Sequence, residues 1–284
     1  MKCAWDSFIN LLPQWLKSEM PPDVSDTLQE MRLRIQKPPE LVTSKGNYFL
    51  RREVKTDDIR YCINAATRYS PWAEYTSKFG YITAPGGHRI GLCGQALTVA
   101  DRIDGIRTPT SVCIRIARDF PGLAEQLDKY SGSILVIGSP GSGKTTLLRD
   151  IIRRRSDQGH KSVSVIDEKS ELFPDVNNEL FFDSGSRTDI MRGCNKAEGI
   201  SCVLRNMGPG CIVVDEITAQ KDCEALCDAA RCGVEVIASA HATDKYDLYN
   251  RLAYRPIVDM KIFDTLVILK EDKSFCTERM SRCI

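Results

Sequence analysis

The chain contains no run of about 18 apolar residues, the least a helix needs to cross a bilayer, so no membrane span is expected. No secretory leader is expected in its first residues either. Asp6 and Pro13 interrupt the apolar positions there, and no small-residue cleavage site follows. Histidine is scarce, with His88, His160 and His241 alone, and none of the twelve cysteines belongs to a C-x-x-C pair. That leaves no ligand spacing for a zinc site and no dithiol redox motif. Cys223 and Cys227, one turn apart on an expected helix, read as small buried apolar residues. Scattered thiols suit a reducing, cytosolic compartment. Net charge is nearly absent: 39 basic against 38 acidic residues leave +1, which gives no overall pull toward nucleic acid or an anionic membrane. There is no internal repeat and no low-complexity segment.

What is present is a phosphate loop. Gly138-Ser139-Pro140-Gly141-Ser142-Gly143-Lys144-Thr145 fits G-x-x-x-x-G-K-[ST]. It follows the apolar run Ile134–Ile137 and leads into the helical pattern beginning Thr146-Leu147-Leu148, the strand–loop–helix setting that gives the motif meaning. Residues 138–146 are therefore expected to cradle the phosphates of ATP. Glycines let backbone N–H groups curl around a polyphosphate, and the helix N-terminus adds partial positive charge. Lys144 is expected on the β- and γ-phosphates and the Thr145 hydroxyl on Mg²⁺.

A second strand ends in acids about 70 residues later, Cys211-Ile-Val-Val-Asp215-Glu216. Asp215 is expected to hold Mg²⁺ and Glu216 to polarise the attacking water. Val165-Ile-Asp167-Glu168-Lys-Ser-Glu171 ends a third strand in acids, and strand ends at this edge of such a sheet point at the ligand. Asp167, Glu168 or Glu171 can support metal or water there, or can be solvated turn carboxylates. A fourth strand ends Ala238-Ser-Ala-His241, placing His241 to sense the γ-phosphate, against the alternative of a structural histidine. One pocket of this kind lacks a cation for the transition state. ATPases of this architecture commonly import an arginine from a neighbouring subunit, and Arg89, Arg107, Arg115, Arg187 and Arg205 are the candidates.

Along the chain, residues 1–20 carry Trp5, Phe8, Ile9, Leu12, Trp15 and Leu16 at roughly helical spacing. This amphipathic helix can dock on the protein body, or engage a membrane surface or a partner helix. Residues 21–110 read as a small α+β domain with strands at 33–35 and 38–42, a helix from Thr56, and a hairpin around Pro85-Gly-Gly-His88 flanked by 79–83 and 89–93. A linker region is placed at 111–130, although Ser111–Ile116 alternates as a half-buried strand would. From 131 to 284, apolar runs at 133–137, 162–166, 211–214, 234–239 and 265–269 alternate with helical patterns, and 270–274 turns into a short edge strand. That alternation predicts an α/β domain with a mostly parallel sheet covered by helices.

Taken together, these residues resemble the stage III sporulation protein AA family, a sporulation branch of the secretion and pilus-retraction ATPases. The resemblance covers nearly the whole chain: Met31-Arg-Leu-Arg-Ile35, Gly86-Gly-His-Arg-Ile-Gly-Leu-Cys-Gly94, Ile114-Arg-Ile-Ala-Arg118, Ile166-Asp-Glu-Lys-Ser-Glu-Leu172 and Gly193-Cys-Asn-Lys-Ala-Glu-Gly199. It implies a RecA-like P-loop ATPase domain behind a smaller N-terminal domain, assembled as a hexameric ring. It also implies membrane-embedded sporulation channel proteins as partners, at the cytoplasmic face on the mother-cell side. By analogy Asp167, Glu168 and Glu171 match the acidic box of secretion ATPases and His241 their histidine box. Two departures from the wider group, Ser-Pro-Gly-Ser in the loop and Asp215 before Glu216, fit the sporulation branch. Two other classes stay open. One is a nucleic-acid-stimulated ATPase, suggested by Arg153-Arg-Arg155 but lacking an aromatic-basic platform, so that no nucleic acid is expected. The other is a nucleotide-gated scaffold with little hydrolysis.

Overall fold

The computed structural model describes residues 2–67, 80–99, 102–159, 161–176 and 179–280; Phe79, expected at the start of a hairpin strand, lies outside them. The chain forms two compact units, one of Met1–Asp119 with Pro174–Phe182, the other of Phe120–Phe173 with Asp183–Ile284.

The first unit is built on a six-stranded antiparallel sheet in the order Gly46–Phe49, Glu40–Thr43, Leu28–Arg34, Arg102–Arg115, His88–Val99, Tyr81–Ala84. Strand Leu28–Arg34 buries Leu28, Met31 and Leu33, and the helix Thr56–Ala66 buries Ile59 and Cys62 in the same core. The expected single helix over 1–20 is instead two short ones, Trp5–Asn10 and Gln14–Ser18. Pro13 causes the break: it has no N–H to donate and disfavours helical geometry at Leu12 before it, so it caps the second helix instead. The aromatic stripe docks on its own unit, with Phe8, Leu12 and Leu16 fully buried and Trp15 Nε1 donating to Asp58 Oδ1 at 2.7 Å. These buried residues have no apolar face left for a membrane or a partner helix.

The 111–130 region contains the division between the units but is not linker throughout. Its first residues end the long strand Arg102–Arg115, which pairs with Leu28–Arg34, and the units divide at Asp119/Phe120. Nor does the second unit hold all of 131–284. Pro174–Phe182 folds with the first unit, where a side chain at Gly87 (φ +78°) would press on Pro174 and Phe182 at 3.3 Å.

The second unit carries a seven-stranded sheet in the order Thr188–Arg192, Val163–Asp167, Cys211–Ile217, Glu235–Ala240, Ile134–Gly138, Thr265–Leu269, Phe275–Arg279. Every neighbouring pair is parallel except the last. Leu135, Ile137, Ile212, Val214, Val236 and Ala238 pack with Ile200, Leu226 and Ile257 from the helices Lys196–Asn206, Gln220–Arg231 and Arg255–Asp259. The intervening positions, Ile134, Val136 and Val213 among them, are equally buried and point to the other face. Two covered faces explain why these strands read as unbroken apolar runs. Cys223 and Cys227 sit in this core as free thiols, and burial pushes Cys223 up to about 12. Among the described residues no helix is long and apolar enough to cross a membrane.

Candidate functional site

Parallel strands bring their carboxyl ends to one edge of the sheet, and the phosphate loop leaves the fully buried strand Ile134–Gly138 at that edge. Gly141 (φ +76°) and Gly143 (φ +101°) take backbone conformations that side chains resist, and Gly143 caps the helix Lys144–Gln158. Gly138 is required for space, since a Cβ there would meet Ser142 Oγ at 2.6 Å and Leu269 Cβ at 3.0 Å. Lys144 is buried and curls back over the loop, with Nζ donating to the carbonyls of Gly138 (2.9 Å) and Ser139 (2.8 Å). Burial holds its pKa below the ordinary lysine value, against the pull of Asp215 and Glu216. Ser142 Oγ is buried with no hydrogen-bond partner, a polar atom enclosed within the cradle.

The acid strand Cys211–Ile217 lies one strand away, separated from the loop strand by Glu235–Ala240. The Thr145 hydroxyl nevertheless reaches Asp215 Oδ2 at 2.7 Å. The pairing with Glu235–Ala240 slips between Val214 and Ile217, and within that irregularity Glu216 adopts φ +53°. A non-glycine residue there is strained, and the surroundings hold it in place. Ser239, fully buried on the intervening strand, accepts from the Glu216 N–H at 2.8 Å and donates to Asp215 Oδ1. One hydroxyl thus fixes both acids. Its place was readable only as a position two residues before His241, and the sequence assigns it no role.

His241 also comes to this edge. Its Nε2 donates to Glu216 Oε1 at 2.8 Å, while Nδ1 is buried without a hydrogen-bond partner. Lys169 Nζ meets the other oxygen, Oε2, at 2.6 Å. Burial alone would raise the Glu216 pKa, but the hydrogen bonds from Lys169 and His241 together outweigh it and hold the carboxyl below its usual range.

The three further acids are brought to the same cleft, with differing fates. Asp167 is buried, and its two oxygens accept the N–H groups of Glu171 and Phe173, each at 2.9 Å. It is committed to shaping the loop after its strand rather than to metal or water. Arg149, from the loop helix, ties the same turn down through the carbonyls of Leu172 (2.6 Å) and Glu171 (3.1 Å). Glu168 pairs with the buried Lys196, which the sequence reading did not single out. Glu171 lines the cleft beside Lys169, Lys196, Asp215 and Glu216.

The arginine candidates lie elsewhere. Arg187 binds the carbonyls of Ser156 and Gly159 at the C-terminal end of helix Lys144–Gln158, away from the loop. Arg205 hydrogen-bonds Ser201 at the far end of the helix that starts at Lys196. In the first unit Arg115 pairs with Glu30 at 3.0 Å, Arg89 stacks on Tyr81 at 3.8 Å, and Arg107 is exposed. The cations that line the cleft are Lys169 and Lys196. A hollow of about 880 Å³ in the second unit opens among Lys129, Lys161, Arg231 and Arg279 at the opposite end of the strands.

The residues present fit a magnesium–triphosphate. The loop encloses the unpartnered Ser142 hydroxyl, and a side chain at Gly138 would intrude on the cradle. Thr145 and Asp215 form a small oxygen pair, whereas no cluster of three or more His, Cys, Asp or Glu able to hold a metal occurs among the described residues. Two oxygen ligands beside a polyphosphate are what Mg²⁺ takes, since it prefers substrate oxygens and water to an all-protein cage.

A model of the family described as "Sporulation stage III, protein AA" matches residues 12–279. The chain is 35% identical over 277 residues to the stage III sporulation protein AA of Bacillus subtilis (strain 168), spanning 93% of this chain and 90% of that protein. The chain belongs to the stage III sporulation protein AA family. Among solved structures, the Legionella pneumophila ATPase DotB aligns with a TM-score of 0.60 at 18% identity, over 89% of this chain and 76% of DotB. The pilus retraction motor PilT, solved with bound ADP, aligns with a TM-score of 0.59 at 14% identity, over 85% of this chain and 74% of PilT. These likenesses establish the fold, an α/β domain with a mostly parallel sheet and a preceding N-terminal part.

Proposed function

We propose that this member of the stage III sporulation protein AA family is a Mg²⁺-dependent ATPase. The observation that carries the reading is the 2.7 Å contact between Thr145 and Asp215, which joins the phosphate loop to a strand whose next residue is a carboxylate held toward the same cleft. The loop residues 138–146 bind the triphosphate through backbone N–H groups, and Lys144 leaves the carbonyls of Gly138 and Ser139 for the β- and γ-phosphates. Thr145 and Asp215 hold Mg²⁺, which when bound neutralises charge on the phosphate oxygens. Glu216 takes the proton of the attacking water as the new P–O bond forms and ADP departs with the electrons of the broken one. His241, bonded to Glu216, orients that carboxylate and links it to the end of the neighbouring strand. Asp167 shapes the adjoining loop, and Glu168 and Glu171 set the charge of the cleft.

Hydrolysis then serves as motor or assembly factor of a secretion-like channel between mother cell and forespore. In this reading the chain forms a hexameric ring at the cytoplasmic face of the membrane, and a neighbour supplies the arginine that Arg187 and Arg205 do not provide within one chain. ATP turnover measured against protein concentration, with mass followed in parallel, tests it. Specific activity rising steeply with assembly supports a shared site. Concentration-independent turnover by a monomer defeats the ring, and no magnesium-dependent turnover under any condition defeats the ATPase.

A further inference from the structure

Glu216 is gripped from two sides, and one grip opposes the role proposed for it. A carboxylate that takes a proton from water needs a free lone pair and an uncompensated charge. His241 on Oε1 is compatible with that, because it leaves Oε2 available. Lys169 is not, because its ammonium sits on Oε2 at 2.6 Å and neutralises the charge. Lys169 stands in the turn after strand Val163–Asp167, and that strand is hydrogen-bonded in register to the acid strand.

Two lysine–glutamate pairs of the cleft, Lys169–Glu216 and Lys196–Glu168, are built differently. Lys196 is buried, its side chain 4% exposed, and its partner Glu168 is the accessible member. Lys169 is the reverse, half exposed at 50%, with Glu216 the more enclosed partner at 29%. An ammonium in that position can swing into solvent without leaving a buried charge behind, whereas removing Lys196 from Glu168 would strand one. The Lys169 pair is therefore the releasable one.

We propose that Lys169 is a latch on Glu216: while their ion pair is closed, the carboxylate cannot serve as base, and basal turnover of the unassembled chain stays low. This rests on the reading of Glu216 as the water-activating acid. Lys169 is a positioning residue, acting only through Glu216. A solvent-exposed pair of this kind contributes up to about 1 kcal/mol, so the latch is closed most of the time yet opens readily. A neighbouring subunit or a bound polyanion that draws the ammonium away switches the site on.

The test uses the full chain at dilution, with saturating Mg·ATP. Lys169→Met is expected to raise turnover by up to about fivefold, the factor that such a pair energy converts to, with ATP affinity unchanged. Lys169→Arg is expected to keep the low rate. Lys169→Met combined with Glu216→Gln is expected to be as slow as Glu216→Gln alone. A readout independent of turnover is the imidazole NMR signal of His241, tractable because the chain has only three histidines. Losing the ammonium from the shared carboxylate is expected to shift that signal in nucleotide-free Lys169→Met. An unmoved His241 signal, or turnover equal to or below wild type in both Lys169→Met and Lys169→Gln, overturns the latch. Glu216→Gln turning over like wild type overturns the reading beneath it instead, so the two failures are told apart.

Discussion

Two neighbouring strands end in the same dipeptide. Val163–Asp167 runs on into Glu168, and Cys211–Ile217 contains Asp215-Glu216, with Val163 to Ile166 paired in register to Cys211 to Val214. Asp167 and Asp215 thus stand side by side at one edge, as do the glutamates after them. Their surroundings divide the work. Asp215 is one strand from the phosphate loop, so Thr145 and Ser239 reach it. Asp167 is one strand further out, where its nearest donors are the backbone N–H groups of its own following turn. Glu216 is forced by its strained backbone into the company of His241 and Lys169, while Glu168 meets a buried lysine. Position in the sheet, rather than residue type, decides which acid meets the helix after the phosphate loop and which one braces its own following turn.

The largest effect should separate the two glutamates. Glu216→Gln is expected to slow ATP turnover by about 10²- to 10⁴-fold, the usual worth of a general base, while Glu168→Gln costs far less. Equal losses in steady-state assays of the two variants would erase the distinction. Next comes the hydroxyl that makes one pair special. Ser239→Ala, which removes the contact with Asp215, is expected to raise the Mg²⁺ concentration for half-maximal turnover by about ten- to a hundredfold. No shift in the magnesium titration would mean that Asp215 is positioned without it.

Asp167 is expected to report on stability instead. Asn in its place keeps one acceptor for two buried N–H groups, which costs about 1–3 kcal/mol. A urea midpoint unchanged from wild type would show that the turn after this strand does not depend on the carboxylate.

The smallest effect is a difference of sign with pH. Burial raises the Asp167 pKa, opposed by the N–H groups of Phe173, Leu172 and Glu171 and reinforced by the charge of Asp215. The folded state therefore binds that proton before the unfolded state does, and this acid's contribution to stability improves as pH falls toward its unfolded value. The Glu216 pKa is lowered, so its contribution is present above the unfolded value and is lost as pH falls through the folded one. Between pH 4 and 6, Asp167→Asn should make the slope of stability against pH more positive than wild type, and Glu216→Gln less positive. His88, whose burial pushes its imidazole down to about 4, titrates alike in all three proteins and cancels. Slopes moving in the same direction would show that the two acids do not differ in this way.

Much of this was legible in the residues. The phosphate loop is legible because backbone geometry and ligand chemistry both act within eight consecutive positions. The central strands are legible because burial on two faces leaves an unbroken apolar run. Strand Thr188–Arg192 escaped notice because it lies at the edge, half-buried, and reads Thr-Asp-Ile-Met-Arg with no such run. Ser239 and Lys169 escaped for a different reason. Their roles come from partners on adjacent strands, 24 and 47 residues away along the chain, and a serine or lysine carries no local mark of such a contact. The break at Pro13 was visible as a residue, and its cost to a helix should have been counted.

The excursion of Pro174–Phe182 into the first unit has a practical consequence. The polypeptide passes from one unit to the other three times, at Asp119/Phe120, Phe173/Pro174 and Phe182/Asp183. No single cut therefore yields two whole pieces. A fragment starting at Phe120 would carry a stretch belonging to its missing partner, with Pro174 and Phe182 deprived of their seat against Gly87, and the fragment ending at Asp119 would show a bare patch in the same place. The one passage back begins right after Phe173, the residue whose N–H is held by Asp167. The turn that Asp167 braces thus leads, through a single peptide bond, into the stretch that folds with the first unit.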